Sequence, residues 1–73
     1  MAAVQYRKAD WIAQADIQEL ADGRYQGVVM MSHELGADSE DTRHEVEAPS
    51  DSPEQALEQA VALAHRLLAD VAR

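Results

Sequence analysis

The chain has 73 residues, of which 47% are apolar, and it carries a formal net charge of −8 and no cysteine. Its length predicts a single domain, residues 1–73, close to the lower size limit for a chain that folds around one core. The absence of cysteine excludes disulfide bonds and thiolate metal sites. With 14 acidic and 6 basic residues, the chain is a poor match for nucleic acid or an anionic membrane surface, because both bind through lysine and arginine.

The N-terminal segment, residues 1–5, is expected to be disordered. It lacks the basic start and the apolar run of a signal peptide. No stretch of the sequence approaches the length of a membrane-spanning helix. We therefore expect a cytoplasmic protein.

A first strand is predicted at about residues 10–20, where apolar residues recur at every second position. The alternating residues are Trp11, Ala13, Ala15 and Ile17. A helix is the alternative, since several apolar residues of this segment also fit a 3.6-residue period. The hairpin turn signal Asp22-Gly23, followed at once by β-favouring residues, favours the strand.

A second strand is predicted at about residues 25–33, and it is apolar on both faces. Val29 and Met31 lie on one face, and Val28 and Met30 lie on the other. A strand of this kind usually sits in the middle of a sheet that is covered on both sides.

The acidic segment 34–41 is predicted to be an exposed loop, because it is polar and contains Gly36. A third strand with a charged outer face is predicted at about residues 42–48, and Pro49 ends it. Six acidic residues in this part of the chain are predicted to face a basic partner: Glu34, Asp38, Glu40, Asp41, Glu45 and Glu47.

A helix is predicted at residues 53–72. Ser52 is a suitable N-cap, Pro53 suits the first helical position, and Gln55 can complete a capping box. Apolar residues then recur at steps of three and four, which marks one face of a helix. They are Ala56, Leu57, Ala60, Val61, Ala64, Leu67, Leu68 and Val71.

The order of elements predicts an α+β fold: a three-stranded antiparallel meander with one C-terminal helix packed on one face, β-β-β-α. One helix covers only one face of the sheet, whereas the second strand is apolar on both. We therefore expect a homodimer, formed through the uncovered face or an edge strand. The predicted interface residues are Val28, Met30, Trp11 and Tyr25, with Trp11 and Tyr25 facing each other across the first hairpin.

No catalytic, cofactor or metal site is predicted. The spacing of His33, His44 and His65 matches no zinc pattern, and the acidic segment lacks the spacing of a calcium loop. There is no nucleophile elbow, phosphate-binding glycine loop or dinucleotide fingerprint. We expect a protein that is not an enzyme and has no cofactor.

Two segments resemble the N-terminal domain of HicB-like antitoxins. They are residues 22–29, Asp-Gly-Arg-Tyr-Gln-Gly-Val-Val, and residues 51–60, Asp-Ser-Pro-Glu-Gln-Ala-Leu-Glu-Gln-Ala. Those domains have a β-β-β-α, partial RNase-H-like fold, so the resemblance implies that fold and a general partner-binding character, and it implies no active residue. Small bacterial protein families of unknown function share the same layout.

Three functional hypotheses follow. The leading one is a small acidic protein-interaction module that self-associates. One alternative is an orphan HicB-like antitoxin that neutralises a basic ribonuclease toxin. The other is a small-ligand or metal-binding domain that uses His33, His44 or the acidic segment.

Overall fold

The fold is one antiparallel sheet with a helix on one of its faces, seen in a computed structural model that describes residues 3–71. Its elements are β1 (Val4–Lys8), β2 (Trp11–Glu19), β3 (Tyr25–Leu35), β4 (Asp38–Glu45) and α1 (Pro53–Val71). The strands lie side by side in the order β1-β2-β3-β4. The predicted α+β class with a C-terminal helix is confirmed, but the sheet has four strands and the predicted number of three is wrong.

The hairpin predicted at Asp22-Gly23 is present, and it joins β2 to β3. The Leu20 N–H donates to the carbonyl oxygen of Arg24 at 2.7 Å, and Gly23 takes a φ of 85°. Glycine adopts such a positive φ at no steric cost, so it was a reliable turn signal. Trp11–Glu19 is a strand throughout, which confirms the strand interpretation and makes the helical alternative wrong.

The first strand of the sheet, β1, was not predicted. Val4 and Gln5, expected to be disordered, pair with Ala15 and Gln14 of β2. Met1 and Ala2, which fall in the same prediction, lie outside the described residues. The turn between β1 and β2 contains Ala9 at a φ of 54°, so it lacks the glycine or asparagine that normally announces such a turn.

The acidic segment 34–41 is a hairpin, and the predicted loop is wrong. β3 continues to Leu35 and β4 already begins at Asp38, with Gly36 at a φ of 70° in the turn between them. The acidic side chains are exposed as expected, but an edge strand exposes its residues as a loop does. The predicted third strand, 42–48, therefore starts earlier and ends at Glu45.

The helix begins where the sequence predicts it. The Ser52 Oγ accepts a hydrogen bond from the Gln55 N–H at 3.1 Å, as expected of an N-cap. The predicted end at residue 72 lies outside the described residues, and α1 is described to Val71. Its buried face consists of Ala56, Ala60, Ala64 and Leu68.

The core lies between α1 and the two middle strands. It is built from Ala13, Ala15, Val29, Met31, Ala60, Ala64 and Leu68. Because so many of these side chains are small, the helix lies close to the sheet. It covers β2 and β3 and touches β1, and it leaves β4 largely uncovered.

Candidate functional site

The face of the sheet opposite α1, called the open face below, carries a small apolar patch. It contains Val28 and Met30, as predicted, together with Ile12 of β2. Met30 is 39% exposed, whereas Val28 and Ile12 are half-buried. The prediction that the second strand of the hairpin is apolar on both faces is therefore confirmed by its placement in the sheet.

An arginine on the open face partly covers this patch. The Arg43 Nη2 donates to the Gln18 Oε1 at 2.6 Å and to the Glu45 Oε2 at 3.2 Å. Gln18 belongs to β2 and Arg43 to β4, so the guanidinium crosses β3 beside Val28. What remains is a shallow groove of about 300 Å³ that includes Val28 and Met30 in its lining.

Trp11 and Tyr25 do not belong to this patch, and the predicted four-residue interface is divided between the two faces. Trp11 lies on the helix side and packs against the core. Its indole stacks on the His33 ring, with 4.0 Å between ring centroids and 3° between the planes. Tyr25 pairs with Glu19 and bridges to Ser50, so it does not face Trp11. Counting outward from the turn at residues 22–23 would have identified His33 as the residue opposite Trp11.

The predicted acidic surface falls into a neutralised part and an unneutralised part. Glu34 pairs with Arg7 at 3.1 Å, and Glu45 pairs with Arg43 at 3.2 Å. The remaining predicted carboxylates form no ion pair with any residue between positions 3 and 71. These are Asp38, Glu40 and Asp41 on β4 and Glu47 just after it.

The outer edge of β4 has free backbone hydrogen-bonding groups. β4 is the last strand of the sheet, and its antiparallel register with β3 is unbroken from Glu45 to Asp38. The Val46 N–H donates to the Gly27 carbonyl at 3.0 Å, which identifies the bonded pairs of this ladder. Since bonded and non-bonded pairs alternate, one set of β4 residues directs its N–H and C=O groups away from β3. This outward set is Ser39, Asp41, Arg43 and Glu45.

A groove of about 770 Å³ lies beside the end of β4, on the helix side. One wall is the chain leaving the strand, and the other is the flank of α1. The lining consists of Glu45, Val46, Glu47, Ala48, Gln59, Ala62, Leu63 and Arg66. Sequence reasoning missed this groove, because it exists only where the helix axis passes over β2 and β3 and leaves β4 bare.

The histidines take structural positions. His33 stacks on Trp11, and His65 contacts the Tyr6 ring at a centroid distance of 4.4 Å. His44 lies half-buried on the helix side of β4. Among the described residues, no group of three or more histidine, cysteine or acidic side chains is placed to hold a metal ion.

A short ion pair fixes the turn between β2 and β3. The Arg24 Nη2 lies 2.8 Å from the Asp22 Oδ2, and the Arg24 backbone N–H donates to the Asp22 Oδ1 at 3.1 Å. The hydrogen bond from the Arg24 side chain, followed by that from its backbone, lowers the pKa of Asp22. The same contact raises the pKa of Arg24. This exposed pair contributes to turn geometry, and the turn lies at the same end of the sheet as the groove, because Val46 pairs with Gly27 close to the start of β3.

In comparisons with known proteins, no family model, no curated protein and no solved structure matches this chain. The resemblance to HicB-like domains stays a prediction. Within residues 3–71 there is no helix that combines the length and the apolar character needed to cross a bilayer.

Proposed function

We propose that this chain is a small, acidic, cytoplasmic protein-interaction module without enzymatic activity, which binds basic protein surfaces and self-associates. The observation that carries the proposal is the outer edge of β4, which combines unpaired backbone groups with unneutralised carboxylates and ends at a groove whose lining includes Val46, Ala62 and Leu63.

Charge supplies the attraction to a basic partner. The net charge of −8 creates a negative field around the whole molecule. Such a field accelerates encounter with a positively charged surface and weakens as salt screens it. Asp38, Glu40 and Asp41 concentrate that charge on β4, where no cation within the described chain neutralises them.

Binding of a lysine-rich peptide tests this part of the proposal. A variant with Asp38→Asn, Glu40→Gln and Asp41→Asn should bind more weakly, because it loses the local carboxylates. The matched control removes the same charge from the start of the helix, through Asp51→Asn, Glu54→Gln and Glu58→Gln. Equal weakening in both variants would mean that only net charge matters, and affinity that does not fall with rising salt would contradict the proposal.

Self-association uses the apolar patch of the open face. Ile12, Val28 and Met30 are the apolar side chains that α1 cannot cover, and a second copy of the chain would remove them from water. Val28→Asp and Met30→Asp should each lower the mass measured by light scattering at high protein concentration. Leu35→Asp is the matched control, since Leu35 is 45% exposed at the β3–β4 turn and lies outside the patch. If the wild-type chain sediments as a monomer at high concentration, the proposed self-association is wrong.

A second candidate function is that of an orphan HicB-like antitoxin, which would neutralise a basic ribonuclease by covering it with the acidic surface. The exposed carboxylates of β4 favour it, because they suit a basic toxin surface. The expected finding is a small, strongly basic reading frame beside the gene, whose product degrades RNA until this chain is added. Inhibition that survives the Asp38, Glu40 and Asp41 substitutions would contradict the proposed contact.

A further inference from the structure

We propose that β4 binds an extended basic segment of a partner protein as an added strand of the sheet. This inference rests on the proposed function and specifies how the partner is held: by backbone hydrogen bonds along the edge, with side chains on both faces. Addition of a strand to an exposed edge is a general mode of peptide recognition, in which the backbone gives affinity and alternate side chains give specificity.

The backbone of β4 is suitable for this role over its whole length. Asp38–Glu45 contains no proline, and its unbroken register with β3 shows no bulge that would turn the edge away. The outward N–H and C=O groups belong to Ser39, Asp41, Arg43 and Glu45, at the two-residue spacing that an incoming strand requires.

The charges of β4 select a basic occupant. Arg43 is the cation of the strand, and its guanidinium is directed inward across β3 to Gln18. Along this edge the carboxylates of Asp38, Glu40 and Asp41 therefore form no ion pair with a cation of residues 3–71. On the open face, a lysine or arginine of the incoming strand would lie beside Asp41, where opposite charges on neighbouring strands stabilise a sheet. Asp38 and Glu40 lie on the helix side of β4, opposite Leu35 and His33, and add to the negative field of this edge.

The same charges disfavour a second copy of this chain at the edge. Pairing of β4 with β4 of another copy would bring the carboxylates of both strands together, and like charges placed opposite each other destabilise a sheet. The other edge strand, β1, is shorter and carries Arg7 and Lys8, so it would repel a basic segment. The acidic edge is thus the one that fits a basic partner.

The groove between the end of β4 and α1 suits the other face of the incoming strand. Its apolar lining includes Val46, Ala62 and Leu63, and it opens on the helix side of the sheet. Side chains alternate across a strand, so a segment that alternates basic and apolar residues can direct its apolar set into the groove. Its basic set then lies on the open face, beside Asp41.

A synthetic peptide in which lysine and valine alternate over the length of β4 is the probe, and its binding is measured by fluorescence anisotropy. Asp41→Pro is compared with Asp41→Asn, since both remove the carboxylate and only proline removes an outward N–H. This N–H makes no bond to β3, so the sheet keeps its ladder. We expect the proline variant to bind the peptide about tenfold more weakly than the asparagine variant does. The reason is that proline removes the N–H at position 41 that would bond to the backbone of the added strand.

Two N-methylated peptides make the same test without changing the protein, and they decide the matter if Asp41→Pro does not fold. One carries N-methyl groups on its lysines and the other on its valines. In an added strand only one of these sets faces β4, so one peptide should lose binding and the other should keep it.

The outcomes distinguish strand addition at β4 from the more general proposal that the protein binds basic segments. Equal binding of the proline and asparagine variants, with both methylated peptides binding alike, would overturn the added strand and leave recognition of basic segments standing. No binding of the unmodified peptide to the wild-type chain would overturn both. A fall in the mass of the unbound protein on Asp41→Pro, not seen with Asp41→Asn, would overturn the proposal in favour of a second copy at this edge.

Discussion

A Cβ atom placed on Gly27 would lie 2.7 Å from the backbone oxygen of Ala56, so the first turns of α1 rest directly on the backbone of β3. The same atom would lie 3.2 Å from the Ala60 Cβ. This contact sets the distance between helix and sheet at one end of the core. It also explains why a glycine occupies a strand position that is buried and not in a turn.

Gly27→Ala should lower the free energy of unfolding by about 1–3 kcal/mol, because the obstructing atom belongs to the helix backbone and can yield only if the helix moves. Urea denaturation followed by circular dichroism measures the change. Adding Ala60→Gly should not restore stability, since it clears the side chain and leaves the Ala56 oxygen in place. If Gly27→Ala had the same free energy of unfolding as the wild type, the close approach of α1 to β3 at Gly27 would not be required.

His33→Ala should lower the free energy of unfolding by about 0.5–1.5 kcal/mol, because it removes the ring that stacks on Trp11. The chain has one tryptophan, so indole fluorescence reports on the surroundings of Trp11, to which the His33 ring belongs. His44→Ala is the control, as His44 has no ring partner among the described residues. The emission of Trp11 should change in the first variant and not in the second; the reverse would place Trp11 elsewhere.

Arg43→Ala should uncover Val28 and Met30 and so increase binding of a hydrophobic dye to the folded protein. The free energy of unfolding should change by less than about 1 kcal/mol, because exposed ion pairs contribute little. Arg24→Ala is the matched control: it removes an equally exposed, ion-paired arginine from the β2–β3 turn, outside the patch. Equal dye binding by the two variants would contradict the covering role of Arg43.

Arg24→Ala should raise the pKa of Asp22 toward its ordinary value, because the side-chain hydrogen bond that lowers it is lost. Since the pKa of Asp22 is lowered in the folded state, its contribution to stability is present above the unfolded-state pKa and is lost as pH falls through the folded-state pKa. NMR titration of the Asp22 carboxyl measures the shift, and Arg66→Ala serves as the control. An unchanged Asp22 titration in Arg24→Ala would mean that the pair does not form in solution.

Sequence reasoning was reliable where a residue type has one physical meaning. Asp22 and Gly23 indicated a turn because glycine alone takes the required φ freely, and Ser52 indicated the start of α1 because its hydroxyl can accept the bond that Gln55 donates. It was unreliable at both edges of the sheet. Edge strands are exposed on more than one side, so residues 38–41 resemble a loop, and β1 gives too short a pattern to recognise.

The local alternation of side chains and the turn and cap residues therefore determined by themselves that β2, β3 and α1 exist and that Val28 and Met30 lie away from the helix. The tertiary structure decided the rest: the partner of Trp11, the bare edge of β4 and the groove beside it. Those features depend on strand register and on where the helix crosses the sheet, and both are set by contacts between residues distant in the chain. The small core side chains and Gly27 allow the helix to pack closely against β2 and β3. The helix does not extend over β4, so the acidic strand stays uncovered.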